Sequence, residues 1–203
     1  MDKTRAVVIG GSIAGLCAAR VLSKHFDKVT VLDRDSFPDG AHERAGVPQS
    51  RHVHALLVRG RQELNLLFPG FDKLMLQEGA IEIDFGNDFA VLREWGWEQR
   101  HTSGMLTLFA SRNLIEATVR RLLAGIPNVE LETRATVTGL ETTPTDSGTT
   151  VNAVEYVSSL ATGRTSLSAD LVVDASGRGS KVLDWLKRLG ISAPSETIVN
   201  AHT

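Results

Sequence analysis

The chain has 203 residues, 42% of them hydrophobic and 23% charged, which permits one large globular domain or one and a half. A net charge of −2 offers no basic surface for nucleic acid or anionic lipid, and no apolar run approaches the length of a membrane span. The one cysteine, Cys17, excludes an internal disulfide and predicts a reducing, cytoplasmic setting, and the first strand starts so close to Met1 that no signal peptide is expected.

Ala6 to Ile9 is a short apolar run rich in β-branched residues and reads as a buried strand. It breaks at Gly10-Gly11, a turn that glycine enters without a Cβ penalty. A helix is predicted from near Ser12, with Ile13, Leu16 and Val21 on its buried face and Cys17 as a small packing residue. Gly15, Ala18 and Ala19 are small enough to bring that helix close to the strand. Gly10-Gly11-Ser12-Ile13-Ala14-Gly15 is a G-x-S-x-x-G form of the dinucleotide fingerprint, which points helix N-terminal amides at a pyrophosphate. The next strand, Lys28 to Leu32, ends at Asp33, about twenty residues past the motif, where a carboxylate accepts hydrogen bonds from an adenosine ribose. The alternative is an α/β crossover with no nucleotide.

A polar connection from Arg34 to Gln49 leads to a helix predicted over Ser50 to Phe68, with Val53, Leu56, Leu57, Leu64, Leu67 and Phe68 on its buried face. Pro69-Gly70 stops it, and a short helix from Phe71 to Glu78 ends at Gly79. Ile81, Ile83 and Phe85 then alternate with acidic residues, Gly86-Asn87-Asp88 turns, and Phe89 to Glu94 and Met105 to Phe109 return as antiparallel strands. Ser111 is a good N-cap for a helix over Arg112 to Ala124. Val129 to Glu132, Ala135 to Thr142 and Thr150 to Val157 read as strands, with a turn from Thr143 to Thr149 that includes Ser147. Leu171 to Val173 is apolar throughout, as a parallel strand covered on both faces should be. It runs into Asp174-Ala175-Ser176-Gly177 and a helix over Ser180 to Leu189.

Three stretches carry a resemblance: VVIGGSIAGLCAARVL with VTVLDRD behind it, RAGVPQSRHVHALLVRGRQELNLLFPG, and ADLVVDASGRGSKV. With SRNLIEATVRRLL they span nearly the whole chain, and they resemble the FAD-dependent monooxygenases of the p-hydroxybenzoate hydroxylase fold, with their halogenase and isoprenoid-reductase relatives. The resemblance implies an α/β fold: a Rossmann-like FAD-binding domain over residues 1–203, with a parallel sheet and, over 80–110, inserted antiparallel β-strands of an incomplete substrate layer. It implies that Gly10, Gly11, Ser12, Ile13, Ala14 and Gly15 hold the FAD pyrophosphate, that Asp33 binds the ribose, and that Arg34 lies over the adenine side. Arg44, opening an Arg-Ala-Gly-Val stretch, would contact FAD phosphates, as a forked permanent cation suits. Arg112 and the backbone of Val137 match further FAD contacts. Ser176, before Gly177, stands where the family's second FAD motif carries aspartate. For Arg34, Arg44 and Arg112 the alternative is solvated surface.

Trp95 and Trp97 read as core packing, with a substrate- or flavin-facing wall as the alternative. His52 and His54, if helical, point about 200° apart and cannot chelate together, so no metal site is assigned. Either could line the flavin pocket. No catalytic base is assigned, because the flavin carries the redox chemistry.

The resemblance implies an oxidoreductase in which NAD(P)H reduces FAD and O2 is used to hydroxylate or epoxidise a small organic substrate. Alternatives are halogenation, whose Trp-x-Trp-x-Ile-Pro signature Trp95-Gly96-Trp97-Glu98 does not continue, and a non-oxygenating reductase. A non-catalytic FAD-binding module and a plain NAD dehydrogenase complete the set. No Gly-Asp dipeptide, part of the family's third FAD motif, occurs in the chain. The expectation is therefore the N-terminal part of a longer flavoenzyme, inactive alone and completed by a C-terminal half or a partner chain.

Overall fold

In a computed structural model, which describes residues 4–146, 148–192, 194–195 and 197, the predicted strand, turn and helix form as β1 (Arg5–Ile9), α1 (Ile13–Leu22) and β2 (Lys28–Leu32). With β8 (Val129–Glu132) and β12 (Leu171–Asp174) they build a parallel sheet in the order β12-β1-β2-β8. In register, Val7 lies beside Thr30 on one side and Val172 on the other. Ala6, Val7, Val8, Val29, Val31 and Leu32 are buried, so the central strands are covered on both faces. One cover is helical: Leu16 and Ala19 of α1 and Ile115, Val119 and Leu123 of α4 (Arg112–Ala124) share one core with Val8, Val29 and Val31. The other is an antiparallel sheet of β9 (Ala135–Thr145), β10 (Gly148–Ser158) and β11 (Arg164–Ser168), in the order β11-β10-β9. Its Ala135, Val154 and Tyr156, with Trp185 of α5 (Val182–Arg188), pack on Val7, Ile9 and Leu32.

Several expectations are corrected here. Val21 is exposed, because the buried stripe of α1 runs through Gly15, Leu16 and Ala19 and leaves Val21 round the helix from Leu16. Leu171 is exposed too, since β12 is an edge strand of the parallel sheet and not a central one. The predicted turn over 143–149 is strand on both sides, with Thr145 paired to Gly148; Ser147 falls outside the described residues.

The largest correction concerns the helix predicted from Ser50 to Phe68. The segment is a 3-10 turn (Pro48–Arg51), a strand β3 (Val53–Leu56) and a shorter helix α2 (Val58–Leu67). β3 pairs antiparallel with β7 (Leu106–Ser111), His54 opposite Ala110 and Leu56 opposite Leu108. Distant pairing, not local periodicity, fixes its extended form. The side chain of Val53 falls outside the description, and Leu57, expected in the core, is exposed at the start of α2. The helical argument that separated His52 from His54 therefore lapses. Among the described residues there is still no group of His, Cys, Asp and Glu that could hold a metal ion.

β4 (Ile81–Asp84) completes a sheet in the order β3-β7-β4, after α3 (Phe71–Gln77). The strand expected over 89–94 is only β5 (Leu92–Arg93), in a two-stranded hairpin with β6 (Gly96–Trp97). Trp95 and Trp97 are 80% and 69% exposed on this hairpin, which overturns core packing for both. Among the described residues no helix is long and apolar enough to cross a membrane.

Candidate functional site

The strands β1, β2 and β12 all end at one cleft of about 280 Å³, whose lining includes Gly10, Ser12, Asp33 and Ser176. Ligands of open parallel sheets sit at this edge, where neighbouring strands lead to helices on opposite sides. The glycines at its rim are required by contact. A Cβ on Gly10, whose φ is +100°, would lie 2.6 Å from the Ala175 carbonyl oxygen. A Cβ on Gly15 would lie 1.8 Å from the Gly10 oxygen, so α1 lies directly against its own turn. A Cβ on Gly11 would meet the Phe37 ring at 2.5 Å. The chain thus crosses the mouth of the cleft as bare backbone, ahead of the unpaired first amides of α1.

Below this turn lies a buried ionic network. Asp33 accepts from the Gly11 amide at 2.6 Å and from the Asp35 amide at 2.8 Å. Arg44, its side chain 6% exposed, reaches Asp33 at 3.3 Å and Asp35 at 3.0 Å through Nη1, and donates from Nη2 to the Gly11 carbonyl at 3.1 Å. Its Nε donates to Glu116 Oε1 at 2.7 Å. Burial alone would lower the Arg44 pKa. The Glu116 hydrogen bond and the Asp33 charge outweigh it and raise the value above that of an ordinary arginine. Ser12 donates to Glu116 Oε2 at 2.8 Å and accepts from Arg112 Nη2 at 3.0 Å. Arg120 donates to the carbonyls of Pro38 and Gly40 at 2.9 and 3.2 Å, and its guanidinium and that of Arg44 lie over the Phe37 ring at 5.0 and 5.3 Å. Burial lowers the Arg112 and Arg120 pKa values, with the Glu116 charge opposing in both.

The second glycine segment is tied by Asp174, which accepts from the Ser176 amide at 2.9 Å and from the hydroxyls of Ser176 and Ser180. Gly177, with φ +71°, starts the 3-10 turn that follows, and a Cβ there would meet nothing within 4 Å.

Of the residues singled out in the sequence, Gly10, Gly11, Ser12, Asp33, Arg34, Arg44, Val137 and Ser176 line the cleft together. Ile13, Ala14, Gly15, Arg112 and Gly177 do not line it. Gly15 is buried under the turn, and Arg112 acts from below through Ser12. Solvated surface is excluded for Arg44 and Arg112, whereas the Arg34 side chain is 67% exposed. Cys17 is a half-buried packing residue whose thiol burial pushes up, so it stays protonated. Sequence reasoning missed Glu116, Arg120 and Phe37. A signal existed for two of them: Arg112, Glu116 and Arg120 recur at i, i+4 and i+8, one face of a helix.

Residues 5–198 match the family model described as FAD dependent oxidoreductase. The Mycobacterium tuberculosis protein Rv3254 is 36% identical over 217 residues, covering 98% of this chain and 43% of its own length. Among solved structures, the p-nitrophenol 4-monooxygenase PnpA of Pseudomonas putida is similar with a TM-score of 0.64 and 23% identity, over 92% of this chain and 44% of that one. PqsL of Pseudomonas aeruginosa, a probable FAD-dependent monooxygenase, gives a TM-score of 0.65 at 14% identity, over 96% and 48%. THI4 of Thermovibrio ammonificans gives 0.62 at 18%, over 93% and 64%. At these identities the structures speak for the fold. The chain spans less than half the length of Rv3254, PnpA and PqsL.

Proposed function

The chain belongs to the FAD dependent oxidoreductase family, and from that premise we propose that the cleft ending β1, β2 and β12 holds FAD and serves an NAD(P)H-dependent monooxygenase acting on a small organic substrate. The observation that carries the reading is the cradle at Gly10: two glycine-bearing segments meet there so closely that a Cβ would lie 2.6 Å from the Ala175 oxygen, beside the first amides of α1. Bare backbone and helix amides are the donor set a diphosphate needs. FAD supplies, when bound, the acceptance of hydride from NAD(P)H and the activation of O2 for hydroxylation or epoxidation.

The chain's own residues bind and orient. The turn Gly10–Ser12, which lines the cleft at the head of α1, would meet the diphosphate. Asp33 accepts four hydrogen bonds from three protein donors, with Arg44 Nη1 reaching both oxygens at 3.3 Å, so a ribose hydroxyl would take the place of one of these two long Arg44 contacts. Arg34 and the Val137 backbone border the adenine end, over an apolar floor of Ile9, Leu32, Ala135 and Trp185 that excludes water. Ser176 offers a hydroxyl and no charge at the second glycine segment. Arg44 and Arg112 hold the turn from below. The monooxygenase reading draws on PnpA and PqsL, and includes a substrate layer over 80–110 completed by a C-terminal half or partner chain. A cytoplasmic setting, drawn from the lone Cys17, belongs to the same proposal.

The uncharged Ser176 favours a second reading, a reductase of the same fold that does not use O2. Following NAD(P)H oxidation and O2 uptake together on the enzyme completed by its C-terminal half or partner chain, with panels of phenolic and isoprenoid compounds, separates the two. Substrate-stimulated uptake of both is the expected outcome. Anaerobic NAD(P)H oxidation coupled to substrate saturation supports the reductase. No oxidation under any condition overturns both and leaves an FAD-binding module.

A further inference from the structure

Dinucleotide turns of this kind usually carry glycine where this chain has Ser12. The hydroxyl thus introduced is not left to solvent. Glu116, 5% exposed in the middle of α4, puts one carboxylate oxygen on Ser12 Oγ at 2.8 Å and the other on Arg44 Nε at 2.7 Å. Arg112, one helical turn earlier, donates to the same hydroxyl at 3.0 Å. A carboxylate so buried persists only where donors satisfy it, and both oxygens are engaged. Through Arg44 the bridge continues to the Gly11 carbonyl at 3.1 Å and to Asp33, which in turn holds the Gly11 amide. Both polar backbone groups of Gly11 and the side chain of Ser12 therefore trace back to one glutamate.

We propose that Glu116 is a positioning residue for the dinucleotide site: by bridging Ser12 and Arg44 it fixes the Gly11–Ser12 backbone so that the first amides of α1 meet the diphosphate. The inference rests on the reading of the cleft as an FAD site. Charge and position pull in opposite directions here, which makes the idea testable. Arg44, Arg112 and Arg120 face Asp33, Asp35 and Glu116 in this network, three charges of each sign. Neutralising Glu116 leaves a net positive charge under an anion site, so electrostatics alone gives tighter binding of a diphosphate. Loss of position gives weaker binding. In Glu116→Gln the amide oxygen can still accept from Arg44. The amide nitrogen then faces a Ser12 hydroxyl that has lost its acceptor.

The test titrates the full chain with FAD, ADP and adenosine by calorimetry, for wild type, Glu116→Gln, Ser12→Gly and the double variant, with thermal midpoints recorded alongside. Each single variant is expected to weaken FAD and ADP about tenfold, a loss typical of a charge-assisted hydrogen bond. Adenosine, which has no phosphate, should bind all four alike, and the double variant should be no weaker than Glu116→Gln, because both changes cut one path. Unchanged or tighter ADP binding by Glu116→Gln, or a parallel loss for adenosine, overturns the proposal. Should Glu116→Gln not fold, Ser12→Gly decides, and wild-type affinity in that variant overturns the proposal equally. A wild-type chain that binds neither FAD nor ADP overturns the FAD reading and this inference together.

Discussion

Asp33 serves the fold through the carboxylate that the proposed site would also offer to its ligand. It is buried at the end of β2, and the Gly11 amide, the Asp35 amide and Arg44 all depend on it. Asp33→Ala is therefore expected to lose stability as well as cofactor affinity. Each polar group left unpaired costs about 1–3 kcal/mol, to be read from the urea midpoint, and FAD should bind at least about tenfold more weakly. An unchanged dissociation constant would mean that the ribose is held elsewhere. The glycines separate in the same way. Gly15→Ala places a methyl 1.8 Å from the Gly10 carbonyl oxygen, where only backbone can yield, so α1 must move off its strand. Overpacking of this kind costs about 1–3 kcal/mol or more, and FAD binding should go with it. Gly177→Asn, in open space at φ +71°, keeps a left-handed residue tolerated by asparagine and should cost little. Equal thermal midpoints for the two variants would contradict the contact argument.

Among the elements, those with local causes were legible in advance. β1, the glycine turn, α1 and β2 follow from apolar runs and a fingerprint within one stretch, and α4 starts where its cap said it would, the Ser111 hydroxyl accepting from the Leu114 amide. β3 was not legible, because Val53–Leu56 is extended only by pairing with a strand some fifty residues later. β11 was missed because Arg164–Ser168 has no apolar alternation to read. The ionic network joins residues 33, 44 and 116, and nothing local links them. The segment from Asp84 to Gly104 is likewise held at a distance. Asp84 accepts from the Ser103 hydroxyl and from the amides of Gly86, Ser103 and Gly104. The Ser103 hydroxyl bond leads these effects, which overcome the opposing pull of burial and hold the carboxyl well below the usual carboxylate range. A depressed folded value contributes stability that is present above the unfolded value, about 3.9, and lost as pH falls below it. Asp84→Asn should then lower the unfolding midpoint at neutral pH. The gap to wild type should stay constant down to about pH 5 and narrow through about pH 4. A gap that narrows instead between pH 8 and 6 would assign the effect to another group.

At the scale of the whole molecule, two layers cover the parallel sheet, and large apolar side chains of the 80–110 segment are left exposed. Ile81, Leu92, Trp95, Trp97 and Met105 are all exposed along β4, the β5–β6 hairpin and the start of β7. Surface of this kind associates, so the isolated 203-residue chain is expected to scatter light as more than a monomer; a monodisperse monomer over a range of concentrations would contradict that. The cleft lies where strand ends, glycine backbone and the head of α1 converge. Its occupant is the central claim. The direct measurement is to purify the full chain after loading with FAD, release bound nucleotide by heat, and record the absorbance of the supernatant. A yellow extract with a flavin spectrum is the expected result. A colourless extract, with NAD bound in its place by calorimetry, would contradict the account.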